Sequence, residues 1–324
     1  MRYILFFLLF SAVSLNAQVV YEPITSPVYE FIDEMANEGF IDISTLIKPY
    51  SRKSIAENLS SISDSLKEDQ TLNKRQKGEL QFYLKDFGKE LNEGKEWGKR
   101  FDILYHNDEN FTLSVNPILS LQTMYNDSGL FYHRRGGAEA FAYFGNNLGM
   151  YASLRDNGVN KVVAESNQIT RMQGGNYKFT SNGGAEWSEM KGGIVGSWKW
   201  GEAGFVKDDF TWGNNYNGAN IFSDRNPSFG YLTIKLYPTD WFEMNYIHGW
   251  LVSEQLDSAN VLVTSTGVRK FMISKFVVAN MFTFKPFDRI RISVGNSSIY
   301  DNKFNPIYLM PVMFYKSLDH TYNG

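Results

Sequence analysis

Apolar and polar side chains alternate along much of the chain from about residue 100 onward. Because successive side chains of a β-strand point to opposite faces of a sheet, this pattern predicts strands with one apolar and one polar face. Five segments carry it most clearly, and their apolar positions are Phe111, Leu113, Val115, Leu119 and Leu121; Leu148, Met150, Ala152 and Leu154; Leu232, Ile234 and Leu236; Phe242, Met244 and Tyr246; and Ile290, Ile292 and Val294.

The connections between the predicted strands alternate between short and long. Tight turns are expected at 145–147, 201–202, 238–240 and 286–288, and long polar stretches at about 125–137, 156–186, 207–228 and 252–269. Outer-membrane barrels combine short turns on one side of the membrane with long loops on the other. A soluble sandwich would also show alternating strands, but the connections favour a transmembrane antiparallel β-barrel over residues 100–324. Aromatic residues near strand ends would form its interfacial girdles, namely Tyr237, Trp241, Trp250, Phe284 and Phe287.

Residues 27–93 have helical spacing instead. Val28, Phe31, Ile32 and Met35 share one helical face, with Pro27 and Gly39 placed to begin and end the helix. Two further apolar faces follow, from helices expected to begin at Ser51 and Thr71; they comprise Ile55, Leu59 and Ile62, and then Leu80, Leu84, Phe87 and Leu91. We expect an N-terminal helical bundle within residues 18–99. It would be either a cell-wall or partner-binding module, or a passive unit that plugs or buttresses its neighbour.

The first seventeen residues are typical of a secretory signal peptide. Arg2 supplies a positive charge, an apolar stretch runs from Ile4 to Leu15, and cleavage is expected after Ala17. The alternative is a buried N-terminal strand or helix. A signal peptide together with a barrel predicts location in the cell outer membrane.

Composition narrows the class of protein. The 324 residues carry a formal net charge of −3 and no cysteine. A generic basic nucleic-acid surface is therefore not expected, and disulfides, thiolate metal sites and a cysteine nucleophile are excluded. After residue 20 no apolar run approaches the roughly 20 residues of a spanning helix, which argues against a polytopic helical membrane protein.

The end of the sequence does not resemble the end of a barrel. About ten strands are expected between residues 100 and 310, and a closing strand with a terminal aromatic residue is not visible at Tyr322, Asn323 and Gly324. We therefore expect a chain truncated at its C-terminus and an incomplete barrel.

Three stretches resemble the capsule assembly Wzi family of outer-membrane barrels, in the form found in Bacteroidetes-type bacteria. They lie at 27–59, which includes the run 29–33 and the Lys-Pro-Tyr-Ser-Arg run at 48–52; at 210–229, with Phe-Thr-Trp-Gly and Ser-Asp-Arg-Asn-Pro-Ser-Phe; and at 305–311. The resemblance implies a periplasmic helical bundle on a barrel of about eighteen strands. It also implies a role in holding capsular polysaccharide as a surface lectin. The chain departs from the family by ending early.

The segment from Asp208 to Phe229 is the predicted binding site. Sugars bind to aromatic rings and to planar amide, carboxylate and guanidinium groups. The candidate polysaccharide contacts are Trp212, Tyr216, Arg225, Asp208, Asp209 and Asn215. The alternative is an ordered loop that folds back into the barrel, in which Asn and Gly serve turn geometry.

Catalytic chemistry is not indicated. His106, His133, His248 and His320 are scattered, without metal-ligand spacing to carboxylates. A glycosidase needs two carboxylates about 5–10 Å apart, and the sequence does not place the acids at 186, 189, 208 and 209 that closely. Arg134 and Arg135 form a basic run that could meet acidic sugars or lipopolysaccharide phosphates, although a solvated loop is the simpler interpretation. Neither a metal nor a cofactor is implied.

Three functions remain open. The favoured one is a non-enzymatic lectin or anchor for capsular or other surface polysaccharide, in contact with outer-membrane lipid and lipopolysaccharide. The second is a porin-like transport barrel with a wet lumen lined by Thr112, Ser114, Asn116, Glu243, Asn245, Arg289 and Arg291. The third is a structural partner of a surface machine such as gliding motility, which would bind a periplasmic protein through residues 18–99.

Overall fold

The protein is mainly β and is built on one large antiparallel sheet. A computed structural model describes residues 19–65, 71–91, 102–127, 129–162, 177–213, 219, 221–223, 227–265, 267–287, 290–301 and 303–322. The expected signal peptide at 1–17 lies outside these residues. Within the described ranges, none of the helices has the length and apolar character needed to cross a membrane.

Helices lie near both ends of the chain and strands lie between them. The helices are α1 (Val28–Glu38), α2 (Arg52–Ser65), α3 (Lys74–Phe87) and α4 (Tyr315–Tyr322), with 3-10 turns at Gly88–Leu91 and Pro306–Leu309. The strands are β1 (Ile47–Lys48), β2 (Leu104–Asn107), β3 (Phe111–Asn126), β4 (Gly129–Phe144), β5 (Leu148–Val159), β6 (Tyr177–Phe179), β7 (Ala185–Trp198), β8 (Gly201–Asp208), β9 (Thr211–Trp212), β10 (Phe229–Thr239), β11 (Phe242–Thr264), β12 (Gly267–Phe287) and β13 (Ile290–Asp301).

Local signals set the helix ends. Gly39 ends α1 with φ of 83°, a left-handed conformation that glycine adopts without a steric cost. The Ser51 hydroxyl accepts a hydrogen bond from the Ser54 amide at 3.0 Å, as an N-cap at the start of α2 should. Helix α3 begins at Lys74 rather than at Thr71, because Asn73 and Gln76 form a reciprocal capping box that fixes the first turn.

The large sheet is an antiparallel meander. Its strand order is β13-β12-β11-β10-β8-β7-β5-β4-β3-β2, and β6 pairs with β7 beside this path. Strands β1 and β9 form a separate two-stranded pair in which Ile47 lies opposite Trp212. In the described chain β2 pairs only with β3 and β13 pairs only with β12, so the sheet is not closed into a barrel.

Two predicted long loops are strands instead. Residues 125–137 and 252–269 were expected to be loops because they are polar, but β3 and β4 stay in register up to the pair Asn126 and Gly129. Strands β11 and β12 likewise remain paired up to Thr264 and Gly267. The ladder extends because its hydrogen bonds join backbone groups, which do not require an apolar side chain. Arg134 and Arg135 therefore lie in β4.

The two faces of the sheet have opposite polarity, and the more exposed face is the apolar one. We call this side the apolar face; its exposed members include Leu119, Leu121, Leu154, Met190, Ile194 and Phe205. The other side, the polar face, includes buried polar residues such as Ser114, Asn157, Ser197, Glu202, Asp208, Thr233, Asn245 and Thr283. A soluble protein normally shows the reverse arrangement.

Parts of the chain before the large sheet lie against its polar face, and we call residues 19–65 and 71–91 the covering segment. Val19, Tyr21 and Ile47 pack with sheet residues in one apolar cluster. Gly149 makes close approach possible, because a β-carbon there would overlap the carbonyl group of Val19. The apolar sides of α1, α2 and α3 meet in a second cluster that includes Ile32, Leu59 and Leu84.

Ion pairs lie where this covering segment meets the sheet, and those of Arg52 are buried. Arg52 donates to Glu22 and to Glu90 at 2.6 Å each, and its guanidinium lies over the ring of Phe141 on β4. Burial raises the pKa of the Glu22 carboxyl, although the charge of Arg52 opposes the change. Asp42 pairs with Lys285 on β12 and with Arg291 on β13.

The C-terminal segment packs on the apolar face, against β11, β12 and β13. The Tyr300 and Tyr308 rings stack with centroids 4.1 Å apart. The Asn280 amide on β12 donates to the carbonyls of Pro311 and Met313, both at 2.9 Å. These bonds satisfy an amide that is otherwise buried.

Replacing Arg52 with Met should lower the free energy of unfolding by about 3–5 kcal/mol, because two carboxylates lose their buried partner. Chemical unfolding of the purified protein measures this decrease in the free energy of unfolding. The loss should shrink as the pH falls, since protonation of Glu22 removes a buried charge and the native state then binds the proton more tightly than the unfolded state.

Arg75→Met is the matched control, because Arg75 pairs with Glu34 and Glu79 on an exposed surface. It should change stability little. Equal effects of the two substitutions would show that the buried pairs of Arg52 do not stabilise the covering segment.

Candidate functional site

A polar cavity of about 500 Å³ lies between the covering segment and the polar face. Residues 20–26 and the start of α2 form one wall, and strands β3, β4, β5, β7 and β8 form the other. Four cations line it, Arg52, Lys89, Arg155 and Lys191, together with the carboxylates of Glu22, Asp86, Asp102, Glu139 and Asp208. Phe141 and Tyr151 add aromatic surface. The mixture of charged groups, hydroxyls and aromatic rings can bind a polar ligand such as a saccharide.

Asp208, a predicted contact, lies at the edge of this cavity and is held by neighbours. The Tyr151 hydroxyl donates to Asp208 at 2.9 Å, and the Lys191 ammonium lies 3.8 Å from the same carboxylate. Lys191 also donates to Asp209. Both acids are thus paired with a cation on β7 rather than solvated in an outer loop, and Asp208 is only 1% exposed.

Trp212 lies in a buried aromatic cluster instead of on the cavity wall. Its indole nitrogen donates to the Met281 sulfur at 3.1 Å, and its ring contacts Phe210 and Phe222. It is 1% exposed, so neither ring face is open to a ligand in this arrangement. This placement favours the fold-back interpretation of the segment for its described part.

Tyr216, Arg225 and Asn215 lie outside the described residues. Their predicted contact with polysaccharide therefore stays a prediction. Two described residues of the 208–229 segment, Trp212 and Phe222, are joined to each other by backbone hydrogen bonds in both directions.

The cavity brings together Lys89 and Asp102, which the sequence did not single out, with Ser114 and Asn116, which it placed on the polar inward face. Asp102 accepts from Lys89, from Asn116 at 2.8 Å and from Ser114 at 2.9 Å. Burial acts to raise the pKa of Asp102, but these hydrogen bonds outweigh it and the pKa lies below its ordinary value. The cavity residues that lie on strands could have been found from the alternation of apolar and polar side chains, because every second residue of β3, β4, β5 and β7 faces the same side of the sheet.

Glu139 and Arg155 face each other across neighbouring strands. The Arg155 guanidinium lies 3.9 Å from the Glu139 carboxylate, which is beyond hydrogen-bond distance. The Arg155 Nε group is buried and has no hydrogen-bond partner in the described part of the chain. Arg155 is therefore the least satisfied cation of the cavity.

A second cavity, of about 760 Å³, lies between α2 and the short turns of the sheet. Trp198, Tyr237 and Trp241 line it together with five cations and five carboxylates, namely Lys53, Lys199, Lys235, Lys285 and Arg291 with Asp42, Glu57, Glu202, Asp240 and Glu243. Two of these cations, Lys285 and Arg291, pair with Asp42. Burial acts to raise the pKa of Asp42, but hydrogen bonds from Lys285 and Arg291 lower it below its ordinary range.

The histidines lie apart from one another. His106 pairs with Asp108 at 2.9 Å on an exposed turn, His133 contacts Asn157 and His248 contacts Tyr300. Within the described ranges, no group of three or more histidine, aspartate and glutamate side chains is placed to hold a metal ion.

Trp212→Ala should lower the free energy of unfolding by about 3–5 kcal/mol, because it leaves a cavity in a packed aromatic cluster. Urea unfolding measures the loss. Trp241→Ala is the control, since Trp241 is 57% exposed and its removal should cost far less. A small effect of both substitutions would contradict a packing role for Trp212.

Comparisons with known proteins do not identify the chain. A scan against protein-family models gave no match. Searches of curated proteins and of solved structures also gave no match. The resemblance to the capsule assembly Wzi family therefore remains a prediction from the sequence.

Proposed function

We propose that the chain is an outer-membrane β-barrel protein that holds surface polysaccharide, such as capsule, without turning it over. The observation that carries the proposal is the inverted polarity of the sheet, with a charged cavity on its covered side. The apolar face meets lipid and the polar face meets the ligand. The helices near the N-terminus form the predicted periplasmic unit.

Lipid is the environment that suits the apolar face. Large apolar side chains such as Leu119, Leu121 and Phe205 are exposed at 82%, 69% and 56%. A continuous apolar surface of this kind is rare on soluble monomers. Strands β5, β10 and β13 have 12, 11 and 12 residues, close to the length of a tilted transmembrane strand. Closure requires partners for the edges of β2 and β13, because unpaired backbone groups are not tolerated in lipid.

The cavity on the polar face suits a saccharide. Tyr151 and Phe141 offer ring surface, and Glu139, Arg155, Ser153 and Asn116 offer hydrogen-bonding groups. This combination is typical of sugar sites, in which apolar ring faces stack and hydroxyls meet planar polar groups. The predicted contacts Tyr216 and Arg225 would extend the site beyond the described residues.

Binding without turnover follows from how the carboxylates are paired. Glu22 pairs with Arg52, Asp102 with Lys89, and Asp208 and Asp209 with Lys191. A glycosidase needs two carboxylates that are free to act on the sugar, and these carboxylates are bonded to cations instead, although burial still raises the pKa of Glu22 and of Asp208. A lectin therefore fits this cavity better than a glycosidase.

The covering segment argues against an open pore. Val19, Tyr21 and Ile47, together with the Trp212 cluster, occupy the polar face that a wet lumen would need. We expect little conductance, which separates the lectin from the porin-like alternative. The role of residues 18–99 in a surface machine such as gliding motility remains a second proposal, which pull-down with that fragment tests.

Spin labels test which face meets lipid. The chain has no cysteine, so Leu154→Cys and Ser153→Cys each give one label, on adjacent residues of opposite faces. In lipid vesicles the Leu154 label should be accessible to dissolved oxygen and shielded from a water-soluble nickel complex. The Ser153 label is the matched control and should not combine accessibility to oxygen with shielding from the nickel complex. Equal nickel accessibility at both positions would contradict membrane insertion.

Glycan binding tests the site. Surface polysaccharide purified from the producing cells should bind the detergent-folded protein, and Glu139→Ala should weaken binding by about tenfold because hydrogen bonds to a charged group are lost. Glu186→Ala is the control, since Glu186 is similarly exposed and pairs with Arg134 on the apolar side.

Two results would overturn the lectin proposal. One is the absence of polysaccharide binding while planar bilayers show steady conductance, which would favour the porin-like barrel. The other is equal loss of binding with Glu139→Ala and Glu186→Ala, which would place the ligand outside the cavity. Arg225→Ala beside them tests the predicted contact in the 208–229 segment.

A further inference from the structure

The cations of the 500 Å³ cavity differ in how well they are neutralised. Arg52 has carboxylate oxygens at 2.6 Å from two acids, and Lys89 has one at 2.5 Å. Lys191 donates directly to Asp209. Arg155 has its nearest carboxylate 3.9 Å away and a buried Nε group without a hydrogen-bond partner among the described residues. A buried donor without a partner is costly. The Nε atom itself is closed to solvent, so a ligand can reach only the rest of the Arg155 side chain, which is 22% exposed.

The strand neighbours of Arg155 leave room for such an acceptor. In the sheet register Arg155 lies between Gly137 on β4 and Glu189 on β7. Gly137 has no side chain, and a β-carbon there would overlap the backbone of Leu154. No side chain of β4 therefore stands directly opposite Arg155, and the cavity that Arg155 lines provides the room for a ligand. Ser153, two residues before Arg155, also lines the cavity and presents a hydroxyl.

Two carboxylates face Arg155 and would compete with an anionic ligand for its guanidinium. Glu139 is the nearer, at 3.9 Å, and its side chain is 47% exposed. Glu189 is the direct cross-strand neighbour, but no ion pair joins it to Arg155 in the described structure. Neither acid forms a hydrogen bond with the guanidinium, so the planar donor fork remains available for a bidentate contact. Glu139 can accept from sugar hydroxyls beside that contact.

We propose that the cavity selects acidic saccharides, with Arg155 binding the carboxylate of a uronic acid unit while Glu139 and Ser153 bind its hydroxyls and Tyr151 and Phe141 contact its ring. The proposal rests on the proposed polysaccharide function and names the ligand class of the same site. A guanidinium is the group that pairs with a carboxylate through two parallel hydrogen bonds. Binding should therefore weaken as salt is added.

The experiment compares two oligosaccharides that differ only in charge. Tetragalacturonate and its methyl ester share the same rings, and the ester lacks the negative carboxylates. Calorimetry with the full detergent-folded chain should give binding of the acid that is at least about tenfold tighter than binding of the ester. Arg155→Gln should remove this preference, and Arg155→Lys should restore it only in part because an ammonium lacks the fork.

Arg134→Gln is the matched control. Arg134 lies on the other face of β4 and pairs with Glu186 at 2.6 Å, so its removal should leave both affinities unchanged. Retained ester binding in Arg155→Gln, together with an unchanged circular dichroism spectrum, shows that the variant is folded.

The outcomes separate the two proposals. Equal binding of acid and ester, unaffected by Arg155→Gln, overturns the acidic class and leaves saccharide binding in place. Loss of preference with Arg134→Gln but not with Arg155→Gln moves the anion to another surface and also overturns this assignment. If neither oligosaccharide nor the purified surface polysaccharide binds, the polysaccharide function itself fails.

Discussion

Polar side chains on the covered face of the sheet must find partners, and the rest of the architecture depends on this requirement. Glu202 is 5% exposed, and it is satisfied by the Tyr21 hydroxyl at 2.6 Å and by Lys235 at 3.0 Å. Asp208 depends on Tyr151 and Lys191 in the same way. An unpaired buried charge would cost several kcal/mol. The segment that begins at Val19 takes part in this pairing through Tyr21, which supplies one of the two partners of Glu202, whereas Asp208 is paired by side chains of the strands themselves.

The cavity lies where this pairing is incomplete. Around Arg52 and Lys89 the charges are closely matched, and the covering segment is held tightly there. Near Arg155 the nearest carboxylate is 3.9 Å away and one buried donor has no partner among the described residues. Proteins tolerate such imperfect pairing mainly at functional sites, which is why the proposed ligand is placed beside Arg155 rather than beside the aromatic cluster.

The apolar face follows a different rule. Over β3 to β8 it carries exposed Leu, Ile, Met and Phe side chains, whereas over β11 to β13 the C-terminal segment covers it. The covered part includes polar residues such as His248, whose Nε2 atom bonds to the Tyr300 hydroxyl, and Asn280, whose amide donates to backbone carbonyls. Some polar groups on this face thus lie under protein, whereas Arg134 and Glu186 pair with each other on its exposed part.

Much of the secondary structure was readable from the residues, because local physics determines it. Alternation from Phe111 to Leu121 predicted β3, the apolar spacing from Val28 to Met35 predicted α1, and Gly39 marked its end. The extent of β3, β4, β11 and β12 was not readable, since paired backbones continue where the side chains become polar. The C-terminal helix α4 was not anticipated either, because it gains its stability from packing on the sheet.

The sequence by itself determined a mainly β chain with two-faced strands and a helical N-terminal region. The periods of 2 and 3.6 residues that distinguish strands from helices can be detected in short stretches of sequence. Only the tertiary structure decided which polar residues share a cavity. Asp208 and Trp212 are four residues apart, yet one borders the cavity and the other is enclosed by Phe210, Phe222 and Met281. Arg155 and Glu139 are sixteen positions apart and face each other. Such neighbours are set by strand register and by the segment that covers the sheet, which are long-range properties that no local pattern contains.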